Sequence, residues 1–255
     1  MTKTKNILMI IAAGDSTRMG FLPKAASIIN GKPNLYRTVE LAYDYFDYIF
    51  IASNTKNYEF YHEIVENFND KAIVLTIRSG RGCGHAVLKT MNVISKFDDV
   101  QDIGNTIICW GDVYFMSGEI FKELKIKNAV TSAPLLIPVV EENDPYVWFN
   151  FDNNRLIHSM FKKRGETTVR GIHDQSIFGA NFYKLKEHLT TIHNVLDKNE
   201  TYLNNEMVFL DAVNYMWNIG DSAQYYITGY KTMAYNDESE LREVNKLIRN
   251  FKKKK

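Results

Sequence analysis

Residues 10–24, IIAAGDSTRMGFLPK, run from an apolar strand pattern into small and polar residues that carry one arginine and one lysine. Ala12, Ala13 and Gly14 let the backbone come close to a ligand, because little or nothing beyond Cβ stands in the way. Successive N–H groups in such a turn form a nest for phosphate oxygens. Arg18 adds a planar fork and Lys24 a mobile point charge, the means of holding a polyphosphate and neutralising a departing part of it. The spacing is neither G-x-x-x-x-G-K-[ST] nor G-x-G-x-x-G, so this is neither a P-loop nor a dinucleotide turn.

Asp112 ends the apolar run of IICWGDVYF. A carboxylate there suits Mg²⁺, which takes oxygen ligands and is held by one or two protein groups plus substrate phosphates. Taken alone, it would equally serve as a turn or helix-cap aspartate. Asn236, with Asp237 as the alternative, sits in MAYNDESELREVN just before an acidic helix; a metal oxygen and a helix cap are both open there. In SGRGCGHAV, residues 79–87, Ser79 precedes Gly80, Gly82 and Gly84, whose alternation suits close approach of a flat ring. His85 either packs near the helix start or acts as a ligand.

The elements that must position these groups follow from periodicity. NILMIIAA, YIFIAS, AIVLTI and NTIICWGD read as strands, with helix-period segments LYRTVELAYDYF, YEFYHEIVENF and HAVLKTMNVISKF between them. That order predicts a parallel sheet covered on both faces, with ligands at the carboxyl ends of its strands. After residue 127 the pattern changes to APLLIPVV and then YVWFNFDNNRLIHSMFKK, a hairpin turning at Asp152-Asn153-Asn154. Helices are expected over 184–196 and 205–218 and from about 238, with a strand at YYITGY.

Lys and Arg number 31 against 30 acidic residues, so no broad positive field exists for nucleic acid. The longest apolar runs are too short to span a membrane, and the polar start does not read as a signal peptide, so a cytoplasmic protein without a membrane partner is expected. Two cysteines, Cys83 and Cys109, make neither a disulfide framework nor a thiolate metal site. The closing FKKKK reads as a solvated end.

The run Ala12-Ala13-Gly14-x-Ser16-Thr17-Arg18-Met19-Gly20, followed by Leu22-Pro23-Lys24, resembles the A-A-G-x-G-T-R-M…P-K signature of nucleotidyltransferases with a GT-A-like fold. Ser16 replaces the usual glycine of that family, which includes sugar-phosphate uridylyltransferases and small cytidylyltransferases. The glycine loop resembles its G-T-G-H-A base-holding loop, Gly111-Asp112 its metal-binding strand end, and Asn236 its second metal position. NNEMVFLDAV resembles an E-x-x-x-x-D segment whose glutamate shapes the acceptor pocket, giving Glu206 and Asp211. Lys162 or Lys163 resembles the lysine that receives the acceptor phosphate.

The resemblance spans residue 8 to about 245, with no acyltransferase hexapeptide repeat after it. It implies an α/β, three-layer Rossmann-like GT-A fold with a mixed, mostly parallel sheet, in one domain over 1–255. Residues 1–126 would be the nucleotide-binding half and 127–255 the acceptor-binding half. It also implies Mg²⁺ and transfer of an NMP from an NTP to a small phosphorylated acceptor, with release of pyrophosphate; a homo-oligomer stays open.

Uridylyltransferases of this group read uracil with a glutamine where Ile77 stands here. Pro33-Asn34-Leu35-x-Arg37-Thr38 resembles instead a segment of phosphocholine cytidylyltransferases, which implies CTP, with cytosine N4–H₂ donating to loop carbonyls or Ser79. DQSIFGANFY places Ile177 and Gly179 where hexosamine-binding relatives have E-x-N-T-G-I, so a sugar acceptor is not implied. The aromatics of YVWFNF either flank an amino-bearing group or pack in the core. A cytidylyltransferase for capsule or surface-polysaccharide modification, such as the phosphoglutamine enzymes of capsule phosphoramidate synthesis, is the expected member. A uridylyl- or thymidylyltransferase making an NDP-sugar, a nicotinamide oxidoreductase and a non-catalytic nucleotide-binding regulator are the alternatives.

Overall fold

The computed structural model describes residues 4–15, 23–78, 81–100, 102–162, 170–198 and 206–253. The first strand, β1 (Lys5–Ile11), is followed by a 3₁₀ turn (Lys24–Ala26), the two-residue strands β2 (Ile28–Ile29) and β3 (Lys32–Pro33), and α1 (Asn34–Ala42). Then come β4 (Tyr48–Ser53), α2 (Tyr58–Val65), β5 (Ala72–Thr76), α3 (Cys83–Ile94), β6 (Ile103–Trp110), β7 (Val113–Phe115) and α4 (Glu119–Val130). The second half carries β8 (Leu135–Glu142), β9 (Val147–Asp152), β10 (Arg155–Phe161), β11 (Gly171–Asp174), β12 (Ile177–Asn181) and α5 (Phe182–Lys198). It closes with α6 (Asp211–Asn218), β13 (Ala223–Ile227), β14 (Thr232–Ala234) and α7 (Glu238–Lys253).

Ten strands form one sheet in the order β5-β4-β1-β6-β12-β8-β13-β10-β9, with β11 paired to β8. The first four are parallel, and only β12, β10 and β11 run against the rest, so the sheet is mixed and mostly parallel. β1 shows why its sequence is a continuous apolar run. Ile7, Met9 and Ile11 enter one core with Val87 and Leu88 of α3, Leu189 of α5 and Val213 of α6. Leu8 and Ile10 enter the other with Val39 of α1, Tyr61 of α2 and Leu124 of α4. A strand covered by helices on both faces has no polar side to show.

The expected hairpin is β9–β10, with Asn153 at φ +52°, a conformation that asparagine tolerates better than most side chains. The helix expected over 205–218 begins only at Asp211. Before it, Met207 N–H donates to Arg81 O at 2.8 Å and Gly84 N–H donates to Met207 O at 2.8 Å, so bonds to another segment replace the helical ones. Among the described residues, no helix is long and apolar enough to cross a membrane.

Candidate active site

At the carboxyl end of β6 the chain turns through Gly111 and Asp112 into β7. β14 pairs antiparallel with β7, Ala234 opposite Val113, which carries Asn236 to the side of Asp112. The Lys24 ammonium lies 3.1 Å from Asp112 Oδ2 and 3.2 Å from Asn236 Oδ1. Two oxygens distant in sequence thus converge on one cationic position. All three residues line a cavity of about 580 Å³, together with Ala12, Ala13 and Gly14.

Buried groups with no part in the cavity fix this arrangement. Asn34, fully buried at the head of α1, donates from Nδ2 to Gly111 O at 3.1 Å and Val113 O at 2.9 Å, clamping the backbone on either side of Asp112. A Cβ on Gly111 would fall 2.8 Å from Ala12 Cβ, so the turn can lie against the end of β1 only as glycine. Tyr235, also fully buried, donates to Lys24 O at 2.7 Å. Burial, aided by the Asp112 charge, pushes its hydroxyl well above the usual tyrosine range.

Asp237 has a different task from Asn236. Its Oδ1 accepts from Ser239 N at 2.8 Å and Glu240 N at 3.0 Å, capping α7. The Asn236 backbone N–H donates to the Glu240 carboxylate, while its side-chain oxygen faces Lys24. Of the two alternatives in the sequence, the structure brings Asn236 to Asp112 and occupies Asp237 in the cap.

The glycine loop packs tightly against another segment of the chain. Gly82, at φ +88°, and Gly84 face the Met207 backbone; a Cβ on them would come 2.5 Å and 3.0 Å from Met207 O. Their close approach is to the chain itself, although Gly82, Cys83 and Ala86 still bring the amino end of α3 to the cavity wall. We expect Gly82→Ala to cost about 3 kcal/mol, from positive φ plus a backbone clash. Urea unfolding measures it, and a loss under about 1 kcal/mol would show that the crossing is loose. His85 is buried outside the cavity lining, its ring centroid 5.2 Å from that of His193 on α5. Ile77 is likewise core.

The residues expected for an acceptor divide. Glu206 lines the cavity; Asp211, at the start of α6, does not, and burial raises its carboxyl pKa with His158 opposing. Lys162 is not in the lining itself; its backbone N–H donates to Tyr146 O at 2.9 Å beside the cavity, and its ammonium pairs with Asp144 at 2.6 Å. Gly179 faces α4, where its added Cβ would meet Asn128 Oδ1 at 2.7 Å, so packing against that helix requires its small size. Ile177 is fully buried in the core against α1 and α4. Arg18, Ser79, Gly80 and Lys163 lie outside the described residues. The sequence reading missed Asn34 as a clamp, Tyr61 in the cavity wall and Asp174, a buried carboxylate in the same wall. For Asn34 the available signal was a polar residue at the head of an apolar helix face.

A cation held between two oxygens at the carboxyl end of a parallel sheet, beside a small-residue strand end, is an arrangement in keeping with the nucleotidyltransferase class. The family model of the MobA-like NTP transferase domain matches residues 8–177, more than half of the chain, and the chain belongs to that family. A bifunctional protein GlmU from Buchnera aphidicola subsp. Baizongia pistaciae is 24% identical over 203 residues, 78% of this chain and 43% of its own length. The chain thus spans under half the length of the curated relatives it matches. Among solved structures, HddC from Yersinia pseudotuberculosis superposes with a TM-score of 0.68 at 18% identity, covering 95% of this chain and 99% of that one. The inositol-1-phosphate CTP transferase from T. maritima gives 0.72 at 11% identity, covering 98% and 97%. Both show the same fold.

Proposed function

We propose that this nucleotidyltransferase moves CMP from CTP to the phosphate of a small phosphorylated acceptor and releases pyrophosphate, in the service of surface-polysaccharide modification. The observation that carries the transfer reading is the convergence of Asp112 and Asn236 on the Lys24 ammonium at the mouth of the parallel strands. CTP is favoured by the Pro33-Asn34-Leu35-x-Arg37-Thr38 run and by Ile77, which is buried in the core where uridylyltransferases place their uracil-reading residue. One protein of this fold is described as an inositol-1-phosphate CTP transferase.

The donor set suits a divalent metal: a carboxylate and an amide oxygen already share one cation, and a hard ion such as Mg²⁺ needs little more from the protein. Bound there, it would offset charge on the reacting phosphates. The chain's own residues do the rest. An acceptor phosphate is anionic at neutral pH, so its oxygen attacks the α-phosphorus without a general base. The bond from that phosphorus to the bridging oxygen breaks, and pyrophosphate leaves with the electron pair. Lys24, shifted from the oxygen pair onto the triphosphate, balances the leaving charge. Ala12, Ala13 and Gly14 leave room for the phosphates against the backbone.

Pyrophosphate release is to be measured with each of the four NTPs in turn, against hexose 1-phosphates, phosphocholine and phosphorylated amino acids. In parallel, N-ethylmaleimide labelling follows Cys83, an exposed residue in the cavity wall, with buried Cys109 as the internal control. Burial of the Cys83 sulfur pushes its thiol upward, against the hydrogen bond it accepts from Phe209 N–H at 3.2 Å, and makes labelling slow. CTP should slow it further and release pyrophosphate with a non-sugar acceptor. Release only with UTP or dTTP and a sugar phosphate would overturn the cytidylyl reading and leave the chemistry.

A further inference from the structure

Asp174 ends β11 inside the cavity wall and is only 8% exposed. Its Oδ1 accepts from Ser176 N–H at 2.7 Å, a turn that sets Ser176 at φ +56° and leads into β12. An asparagine would make that turn equally well. Asparagine would lack the charge, and the charge is expensive here, since a buried carboxylate loses its hydration and needs a donor or cation in return.

Among the described residues no lysine or arginine pairs with Asp174. Its neighbour His173 is engaged with Glu142, Nε2 to Oε2 at 2.6 Å. Burial raises the carboxyl pKa, with Ser176 and His173 opposing. The wall therefore carries an ionisable group that the turn alone does not require and that the metal pair does not use.

Nearby stands an aromatic pair. Tyr146, 68% exposed, and Phe161 both line the cavity, their centroids 6.3 Å apart at 73°. They sit where β9 begins and β10 ends, and β9 lies beside β11: a Cβ on Gly171 would be 3.3 Å from Trp148 Cβ. Ring faces and an anion in one wall are the combination that attracts an organic cation.

We propose that Asp174 is a specificity residue of this site, and that the acceptor it selects carries an ammonium group beyond its phosphate, received between Asp174 and the Tyr146–Phe161 pair. The proposal rests on the nucleotidyl-transfer reading and adds the chemical class of the acceptor. The phosphate end meets the oxygen pair at Asp112 and Asn236, and the cationic end meets Asp174 and the two rings in the same cavity.

Matched acceptors test it: phosphoethanolamine against 2-hydroxyethyl phosphate, and glucosamine 1-phosphate against glucose 1-phosphate, with phosphocholine to separate a quaternary from a primary ammonium. The wild-type chain should favour an amine-bearing member over its partner by about tenfold or more in kcat/KM. Asp174→Asn keeps the turn; it should raise KM for the amine by about tenfold or more, with kcat and the neutral partner little changed. Tyr146→Leu, at an exposed position that folding does not need, should raise KM for the amine only, severalfold.

Nucleotide protection of Cys83 should be the same in all three proteins. Turnover without an amine preference, or an Asp174→Asn variant that loses both members equally, would overturn the specificity assignment and leave nucleotidyl transfer standing. No turnover with any acceptor, despite protection by nucleotide, would overturn both.

Discussion

Asp112→Asn should slow pyrophosphate release by a factor on the order of a thousand, because the one anionic oxygen of the cation pair becomes a neutral amide at the centre of charge development. The fold should survive. Asp112 and Lys24 are 29% and 21% exposed, and their ion pair lies at the cavity edge, so its loss is worth about 1 kcal/mol or less. The clamp runs from the Asn34 side-chain amide to the backbone carbonyls of Gly111 and Val113, touches no atom of the Asp112 side chain, and persists in the variant. Mg²⁺-dependent turnover tests the first point, and circular dichroism with a melting curve verifies the second. Activity within a few-fold of wild type would remove Asp112 from the metal site, whatever the fold does.

Lys24→Met should move two observables in opposite directions. Turnover falls by about a hundredfold, since the departing pyrophosphate loses a cation that had been brought to it. Binding of Mn²⁺ to the nucleotide-free protein rises about tenfold, since the ammonium 3.1 Å and 3.2 Å from the two oxygens no longer competes for their position. Methionine keeps the aliphatic stem, and Tyr235 holds the Lys24 backbone rather than its side chain, so the local packing stays. Electron paramagnetic resonance titration of free Mn²⁺ gives the second quantity. Unchanged or weaker Mn²⁺ binding would mean that the oxygens do not converge on a shared cation position, even if activity falls.

The parallel half of the sheet could be read from the sequence because β1, β4, β5 and β6 are buried on both faces and separated by helical periods, a pattern with few competing explanations. Asp112 and Asn236 were legible as two positions of one metal site through the resemblance, but the element that joins them was not, because it is a three-residue strand pairing that carries no periodicity of its own. The glycine loop was legible only in part. Sequence shows that Gly82 and Gly84 allow close approach but not what approaches, and in the structure it is Met207.

Asp174 stayed hidden for a similar reason. A lone aspartate before a turn looks the same whether it faces solvent or a cavity, and only burial separates the two. Lys162 showed the reverse: its charge suited a phosphate, and Asp144 takes it.

The pairing of β14 with β7 also sets a schedule for the newly made chain. Asp112 is added to the growing chain well before Asn236 and α7. Until β14 docks, a nascent chain can close the parallel strands yet offers a metal only one of its two side-chain oxygens. Assembly of the cation position is thereby tied to synthesis of β14, and a chain released after β13 would carry much of the sheet and only half of that position.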